Sequence, residues 1–506
     1  MRCARQGIPD RARALWLLMT KSLQKQRRAL SENPLPADVA DALADRVFAV
    51  VGADPAQSFE SLQDAVLMAL RQIGGAVERR GLEARVTRDV LIEIEGESYA
   101  RLSQPSAVRC FGMWGTHRIE EPLYRVVGVH NGATIKPLSK RCGLICESMT
   151  PGLAARLGSM TALMTSRDAH RCAIELGIGS ASRATIETHV HDFGVEMADQ
   201  VLALEDAARR DESVPVGVVS MSCGLDRKAI PMWEERPANQ PPSTPRRKRH
   251  APYVRAVPVP FDVNYRMAYV ASLSLIDAHG KTLRTIRYGD DANVDPATLA
   301  GRVVKDVERV VELRGPMDIT IVQDGASELD ALPNALAGSD IARACTRHEV
   351  VDLNHALDYL RDVIRQCEPG GDPHKMGEWY RDELLRDDRA VDRILRSLKR
   401  RLSLIDAGEA PEMHEALADA TRYIGNRRAK MRYAGHWSAN RAIGSGATES
   451  AAKVMGQRTN LSGARWDKPG LRGLVTRRGL VTSERWRPAW EHYAASKQAE
   501  IACLAA

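Results

Sequence analysis

Residues 264–289 read NYRMAYVASLSLIDAHGKTLRTIRYG. β-Branched, aliphatic and aromatic residues fill both arms, and the Ala-His-Gly between them is turn chemistry, so two strands closed as a hairpin are predicted. Upstream, VPVGVVSMSCGLD (214–226) is a Val-rich strand ending near Asp226. Downstream the period changes from two to that of a helix. DPATLAGRVVKDVERVVELRG (295–315) sets Leu299, Val303, Val307, Val310 and Val311 on one helical face. MDITIVQDG (317–325) is then a buried strand ending at Asp324, and SELDALPNALAG (327–338) is a helix. RHEVVDL (347–353) supplies a fifth strand and NHALDYLRDVIRQC (354–367) another helix. The order β-β-β-α-β-α-β-α, opening as a meander, predicts a mixed α/β sheet flanked by helices.

Two insertions interrupt this unit. Residues 234–260 are rich in proline, lack core-forming residues, and carry the run Arg246, Arg247, Lys248, Arg249. That composition predicts a loop whose basic run could lie along phosphates or simply be a solvated linker. Residues 368–440 read as helical. WYRDELLRDDRAVDRILRSLKRRL (379–402) places Leu384, Val391, Ile394 or Leu395, Leu398 and Leu402 on one stripe, a core-facing stripe on a charged helix. Five segments follow: a helical N-terminal region (1–105), a small hairpin with a helix-turn-helix-like DNA-binding region (106–205), the first part of an α/β core (206–367), the helical insertion (368–440) and the last part of the core (441–506). In TSRDAHRCAIELGIGSASRATIETHVHDF (165–193), Ser166 could cap one helix and Ser180 or Ser182 a second carrying Arg183, Thr185 and Thr188, with Gly177 breaking between them. A helix-turn-helix and an ordinary helical hairpin both fit.

Composition narrows the class. The chain has 506 residues, 44% of them hydrophobic, enough for two to four compact units, and a formal charge of +7 that permits a polyanionic partner. Nine cysteines include no CxxC pair, so neither a zinc ribbon nor a disulfide framework is indicated. No apolar run reaches signal-peptide or membrane-spanning length, and a reduced, cytoplasmic protein is expected.

Three acids draw attention. Asp226 and Asp324 are read at strand ends, and Gly325 beside Asp324 lets a ligand approach the backbone. Glu449 stands in AIGSGATESAAKVMGQRTN (442–460), after small residues and glycines and ahead of Lys453 and Arg458 on the same helix. Singly, each is as well explained by strand termination, capping or a solvated surface. Together they would form an acidic cluster whose mutual repulsion calls for a cation. Hard divalent ions suit such oxygens, and two ions about 3.5–4 Å apart can stabilise the attacking and leaving oxygens of a phosphodiester displacement. Lys453, one turn on from Glu449, could touch a phosphate.

Six blocks carry a resemblance: GLDRKAIPMWEERP (224–237), the 264–289 hairpin, IVQDGASEL (321–329), VVDLNHALDYL (350–360), YIGNRRAKMRY (423–433) and IGSGATESAAKVMGQRTNLSGARW (443–466), with RWRPAWEHY (485–493) after them. In this order they resemble the ISKra-type insertion-sequence transposases, within the DDE group related to Mutator-like elements. The likeness spans about residues 80 to 490. It implies a ribonuclease H-like core with a helical insertion before the Glu, and cleavage and strand transfer at the element's ends that use two Mg²⁺ ions, for which Mn²⁺ can substitute. The triad falls on Asp226, Asp324 and Glu449, and Asp352 with His355 matches a D-x-x-H element. His355 could orient a phosphate or shuttle a proton, or it could be a packed residue behind a helix-capping Asp352. Cys223-Gly224 loosens the register before Asp226, so this acid could sit past its strand. Arg427 and Trp466 match family motifs and could meet DNA backbone and a frayed end base, though a core tryptophan is the commoner fate. The resemblance also implies double-stranded DNA as partner, in the form of terminal repeats and target, a bacterial nucleoid-associated location, and at least a dimer acting on two ends. A catalytically inactive or domesticated DNA-binding protein and a stand-alone nuclease are the competing classes. The intact triad argues against the first, and the end-reading segment and large insertion against the second.

Overall fold

The computed structural model describes residues 36–51, 58–235, 261–292, 294–368 and 370–504. The chain divides into two compact units, one formed by residues 198–483 and the other by 1–197 together with 484–506. The basic run 246–249 lies outside the described residues.

The 198–483 unit is a mixed α/β fold. After helix α1 (Val201–Asp211) come strands β1 (Ser220–Glu235), β2 (Phe261–Ile276) and β3 (Thr282–Ala292), helix α2 (Pro296–Arg314) and strand β4 (Asp318–Gln323). Short helices α3 (Ala331–Gly338) and α4 (Asp340–Arg343) lead to β5 (Arg347–Val351) and α5 (Leu353–Cys367). The helical insertion supplies α6 (Pro373–Arg386), α7 (Ala390–Leu402), α8 (Pro411–Arg427) and α9 (Tyr433–Ser438). Helices α10 (Gly446–Thr459) and α11 (Lys468–Thr482) complete the unit.

The sheet order is β5-β4-β1-β2-β3. β1 to β3 are an antiparallel meander, whereas β4 runs parallel to both β1 and β5. Leu299, Val303, Val307, Val310 and Val311 of α2 are all buried against Met221, Cys223, Leu225, Leu273 and Ile319 of the sheet. Asp295 caps α2 by accepting from the Ala297 N–H at 2.9 Å, Pro296 fills its first turn, and Gly315 at φ 86° ends it. On the opposite face Met455 of α10 and Leu471 and Val475 of α11 cover Ile230, Met232 and Val270. The insertion stripe (Leu384, Val391, Ile394, Leu395, Leu398) is buried with Leu417 and Ile424 of α8 over Leu357 and Leu360 of α5. A buried ion network ties α1 to α2 and β3: Arg302 meets Glu205 at 2.7 Å and Asp290 at 3.2 Å, and Arg209 meets Asp306 at 3.2 Å.

Two readings of strand limits are corrected. The Val-rich run 214–219 is not strand: Gly217 at φ 93° turns the chain, Val216 is exposed, and β1 begins at Ser220. Nor does β1 stop near Asp226, since its antiparallel partner β2 carries it to Glu235.

In the other unit, helices Ala37–Val51, Phe59–Glu83, Pro151–Leu163, Ser166–Glu175 and Arg183–Asp199 accompany a hairpin, Ala107–Phe111 with Thr116–Glu120. Its five-stranded sheet differs from the helical N-terminal region expected from the sequence. Leu91–Ile94 pairs with Glu97–Arg101 on one edge and with Ile501–Cys503 on the other, so the last residues join this unit rather than the α/β core. The eight described cysteines are free, and no helix among the described residues is long and apolar enough to cross a membrane.

Candidate active site

The sheet brings the sequence-predicted aspartates to one level. On the parallel strands β1 and β4 the last paired couple is Cys223 and Ile321. Asp226 and Asp324 each stand three residues beyond it, so they face each other across adjacent strands at the carboxyl end of β4. Pairing of β4 with β5 ends at Gln323 and Val351, which sets Asp352 at the same height on the next strand. Asp226 therefore marks the end of the parallel pairing and lies within β1, opposite Val270, not past its strand.

Glu449 arrives from the other direction, in the first turn of α10. Gly224 makes its approach possible. A Cβ there would overlap Thr448 Oγ1 and stand 2.6 Å from the Val322 carbonyl oxygen, so only glycine lets the turn carrying Glu449 lie against β1. Thr448 Oγ1 is hydrogen-bonded to Ser272 Oγ of β2 at 2.8 Å, both side chains being buried. Asp352, 2% exposed, secures the same approach from the far side. Its carboxylate accepts from the Ser445 N–H at 2.5 Å and from the His355 N–H at 3.0 Å, while the Leu353 N–H donates to Ile443 O at 3.0 Å. Asp352 is thus a helix cap and a clamp on the segment that delivers Glu449.

The acids sense one another. Burial pushes the Asp226 carboxyl above its ordinary value, the charges of Asp324 and Glu449 add to the rise, and the Arg227 N–H (2.7 Å) and His355 oppose it. His355 is exposed on the first turn of α5, not packed in the core. Two carboxylates lean on cations: Glu449 Oε2 accepts from Lys453 Nζ at 3.2 Å, and Asp324 lies 4.0 Å from Arg227, which also pairs with Glu328. Among the described residues no group of three or more His, Cys, Asp or Glu side chains is closed around a common point that could hold an ion. The donor chemistry still fits a hard cation, being three carboxylates of which one is raised by burial and then by the charges of the other two, with Arg227 and Lys453 paired to Asp324 and Glu449.

Of the residues that hold the Asp324 turn, Tyr423 was not legible as a site residue. Gly325 has φ 84°, and Asp324 Oδ1 accepts from the Ala326 N–H at 2.8 Å. Tyr423 Oη donates to the Asp324 carbonyl at 2.6 Å and stacks on Tyr359 with ring centroids 4.1 Å apart. Arg427, read as a DNA contact, donates through Nε (2.9 Å) and Nη2 to the Gly325 carbonyl and lies 4.4 Å over the Tyr423 ring. Its guanidinium is committed to the backbone beside Asp324. The four-residue spacing of Tyr423 and Arg427 on one helix was the available signal. Trp466 is half-buried, its Nε1 donating to Thr459 O at 2.9 Å, with Arg458 5.1 Å over its ring; this is the packed fate, not an open stacking platform.

In the other unit, Thr165 rather than Ser166 caps the first of the two helices, and Ser182 Oγ accepts from the Thr185 N–H at 3.2 Å to cap the second. Gly177 and Gly179 both have φ 65° in a connection spanning 176–182, longer than the three or four residues typical of a helix-turn-helix. Arg183 pairs with Glu187 at 2.8 Å and Thr188 is exposed.

No protein-family model matches the chain, and no curated protein matches it.

Proposed function

We propose that the chain is a DDE transposase of the ISKra type with a ribonuclease H-like core, acting on the DNA ends of an insertion sequence. The observation that carries this reading is the register that sets Asp226 level with Asp324 while the Gly224 seat admits Glu449. The sheet order β5-β4-β1-β2-β3, with β2 alone antiparallel to both neighbours, supports the fold assignment, and the helical insertion between the second Asp and the Glu supports the family.

Asp226, Asp324 and Glu449 would hold the divalent ions. Bound there, Mg²⁺ or Mn²⁺ supplies charge stabilisation to the attacking and leaving oxygens of a phosphodiester. The chain's own contributions are positional. Tyr423 and Arg427 fix the Asp324–Gly325 backbone, Asp352 fixes the entry to α10, and the Ser272–Thr448 bond fixes its height over β1. Such pre-organisation is where phosphoryl transfer gains most of its rate. In this reading exposed His355, whose charge reaches Asp226, would orient a phosphate or carry a proton, and Lys453, 74% exposed and paired with Glu449, would meet a phosphate. Terminal-repeat reading falls to the region of Arg183, Thr185 and Thr188, with phosphate contacts supplying affinity.

The test is cleavage of a labelled duplex containing the DNA that flanks this gene, with Mn²⁺, comparing wild type with Asp226→Asn, Asp324→Asn and Glu449→Gln. Nicking at the element boundary, lost in all three while binding persists, is the expected result. Tight, salt-sensitive binding without cleavage by the wild type would replace the proposal with a DNA-binding protein.

A further inference from the structure

Three cations around the acidic centre are already committed. Arg227 pairs with Asp324 and Glu328, Lys453 with Glu449, and Arg427 with the Gly325 carbonyl. Lys228 is not. It stands on β1 two residues after Asp226 and, by the strand's alternation, on the same face, the one that α10 covers at Ile230 and Met232. Among the described residues no carboxylate lies within ion-pair distance of its ammonium, and no hydrogen bond holds it.

The fold builds a place for this side chain. α10 runs along β1: Thr448 lies against Gly224 at one end, and Asn460, just past the other, donates through Nδ2 to the Ala229 carbonyl at 2.9 Å. Between these anchors lie Asp226 and Lys228 on the strand, and Glu449, Lys453 and Gly456 on the helix. The three helix residues are four and three positions apart, hence on one face. Lys228 crosses that face at Gly456. A Cβ on Gly456 would stand 2.9 Å from Lys228 Cε and 3.6 Å from its Nζ, so the lysine stem fills the space a side chain would take. Glycine inside a helix is destabilising relative to alanine, and here the missing Cβ is what lets the stem pass. The result is a half-buried lysine with a seated stem and a head that no acid neutralises. Such a cation is complementary to an anion brought to the same centre.

We infer that Lys228 binds a backbone phosphate of the DNA strand engaged at Asp226, Asp324 and Glu449, one that flanks the reacting phosphodiester. The inference rests on the reading that these acids act on DNA, and it adds a phosphate contact on β1 to that reading. Gly456, over which the ammonium lies, is seven residues and roughly 10 Å along α10 from Glu449. The phosphate met there is therefore beside the one at the acids.

The test is fluorescence anisotropy of the full chain with a labelled duplex carrying the DNA that flanks this gene, over a series of KCl concentrations without divalent ions. Lys228→Met keeps a stem in the seat and removes the charge. It is expected to weaken binding about three- to tenfold at about 0.1 M salt, and to make the salt dependence shallower by about one released ion. Lys228→Arg should restore both. Lys305→Met, on α2 across the sheet, should bind as wild type does. A salt slope for Lys228→Met equal to that of wild type would overturn the inference, as would an equal loss in Lys305→Met, which would make the effect one of overall charge. So would weakened Mn²⁺ uptake by Lys228→Met, which would make Lys228 a support of the acids and not a phosphate contact. Absence of salt-dependent binding by the wild type would sink the DNA reading and this contact together, whereas wild-type binding with an unchanged Lys228→Met slope sinks this contact alone. Because no cleavage is read, failure of boundary nicking leaves the titration intact.

Discussion

Substituting Gly224→Ala probes the seat of Glu449. The added methyl would stand 2.6 Å from the Val322 carbonyl oxygen, where ordinary contact begins near 3.4 Å, and would overlap Thr448 Oγ1. Val322 is 2% exposed in the sheet's interior and cannot retreat freely, and the Thr448 hydroxyl is held by Ser272 at 2.8 Å. Relief therefore moves β1 or the first turn of α10 by roughly 1 Å, at an overpacking cost of about 1–3 kcal/mol. Glu449 follows Thr448 directly, so that shift parts it from Asp226. A misplacement of about 1 Å at a reacting centre costs on the order of 10²-fold in rate. Expected is a variant that melts cooperatively at a somewhat lower temperature and has lost about 10²-fold in boundary nicking with Mn²⁺. Thr448→Ala is the comparison: it loses the Ser272 hydrogen bond, about 1 kcal/mol, without the clash, and should lower cleavage less than Gly224→Ala does. Wild-type cleavage by a folded Gly224→Ala protein would refute the claim that the seat positions Glu449.

Two further expectations concern other charged groups. Asp352→Ala strips the acceptor from two backbone N–H groups at a buried site and should destabilise the protein by about 1–3 kcal/mol in denaturant titration, whereas exposed His355→Ala should lower cleavage with no loss of stability; equal stability of the two variants would contradict these roles. Burial pushes the Glu121 carboxyl, 3% exposed, up to about 7 from an ordinary 4.5. Because its folded value is raised, the stability tied to its protonated form is fully present below pH 4.5 and lost as pH rises through 7, about 2–3 kcal/mol after allowing for solvent screening. Glu121→Gln should therefore gain on wild type in melting temperature as pH rises from 4 to 8, and a pH-independent difference would exclude that burial effect.

Much of the α/β core was legible because its elements are long and strictly periodic. The α2 valines and the Leu384–Leu398 stripe each specify one buried face, and nothing nonlocal competes with them. The strands Leu91–Ile94 and Glu97–Arg101 were missed because each is only four or five residues long. Their hairpin signal was the Glu95-Gly96 pair, both at positive φ (54° and 83°), between alternating arms. The pairing with Ile501–Cys503 joins residues some 400 positions apart, which no local period encodes. At the site, the acids were legible by type, but their common level depends on parallel register. The committed guanidinium of Arg427 and the seat at Gly224 depend on which backbone lies opposite, and a glycine reads as loose register until the turn pressing on it is known.

The most direct test of the acidic centre is Mn²⁺ titration of the full chain followed by electron paramagnetic resonance, wild type against Asp226→Asn with Asp324→Asn and Glu449→Gln combined. Bound Mn²⁺ in the wild type that disappears in the triple variant, with melting unchanged, is the predicted result. Equal Mn²⁺ uptake by both proteins, or none by the wild type, would mean that these three carboxylates do not form a metal centre.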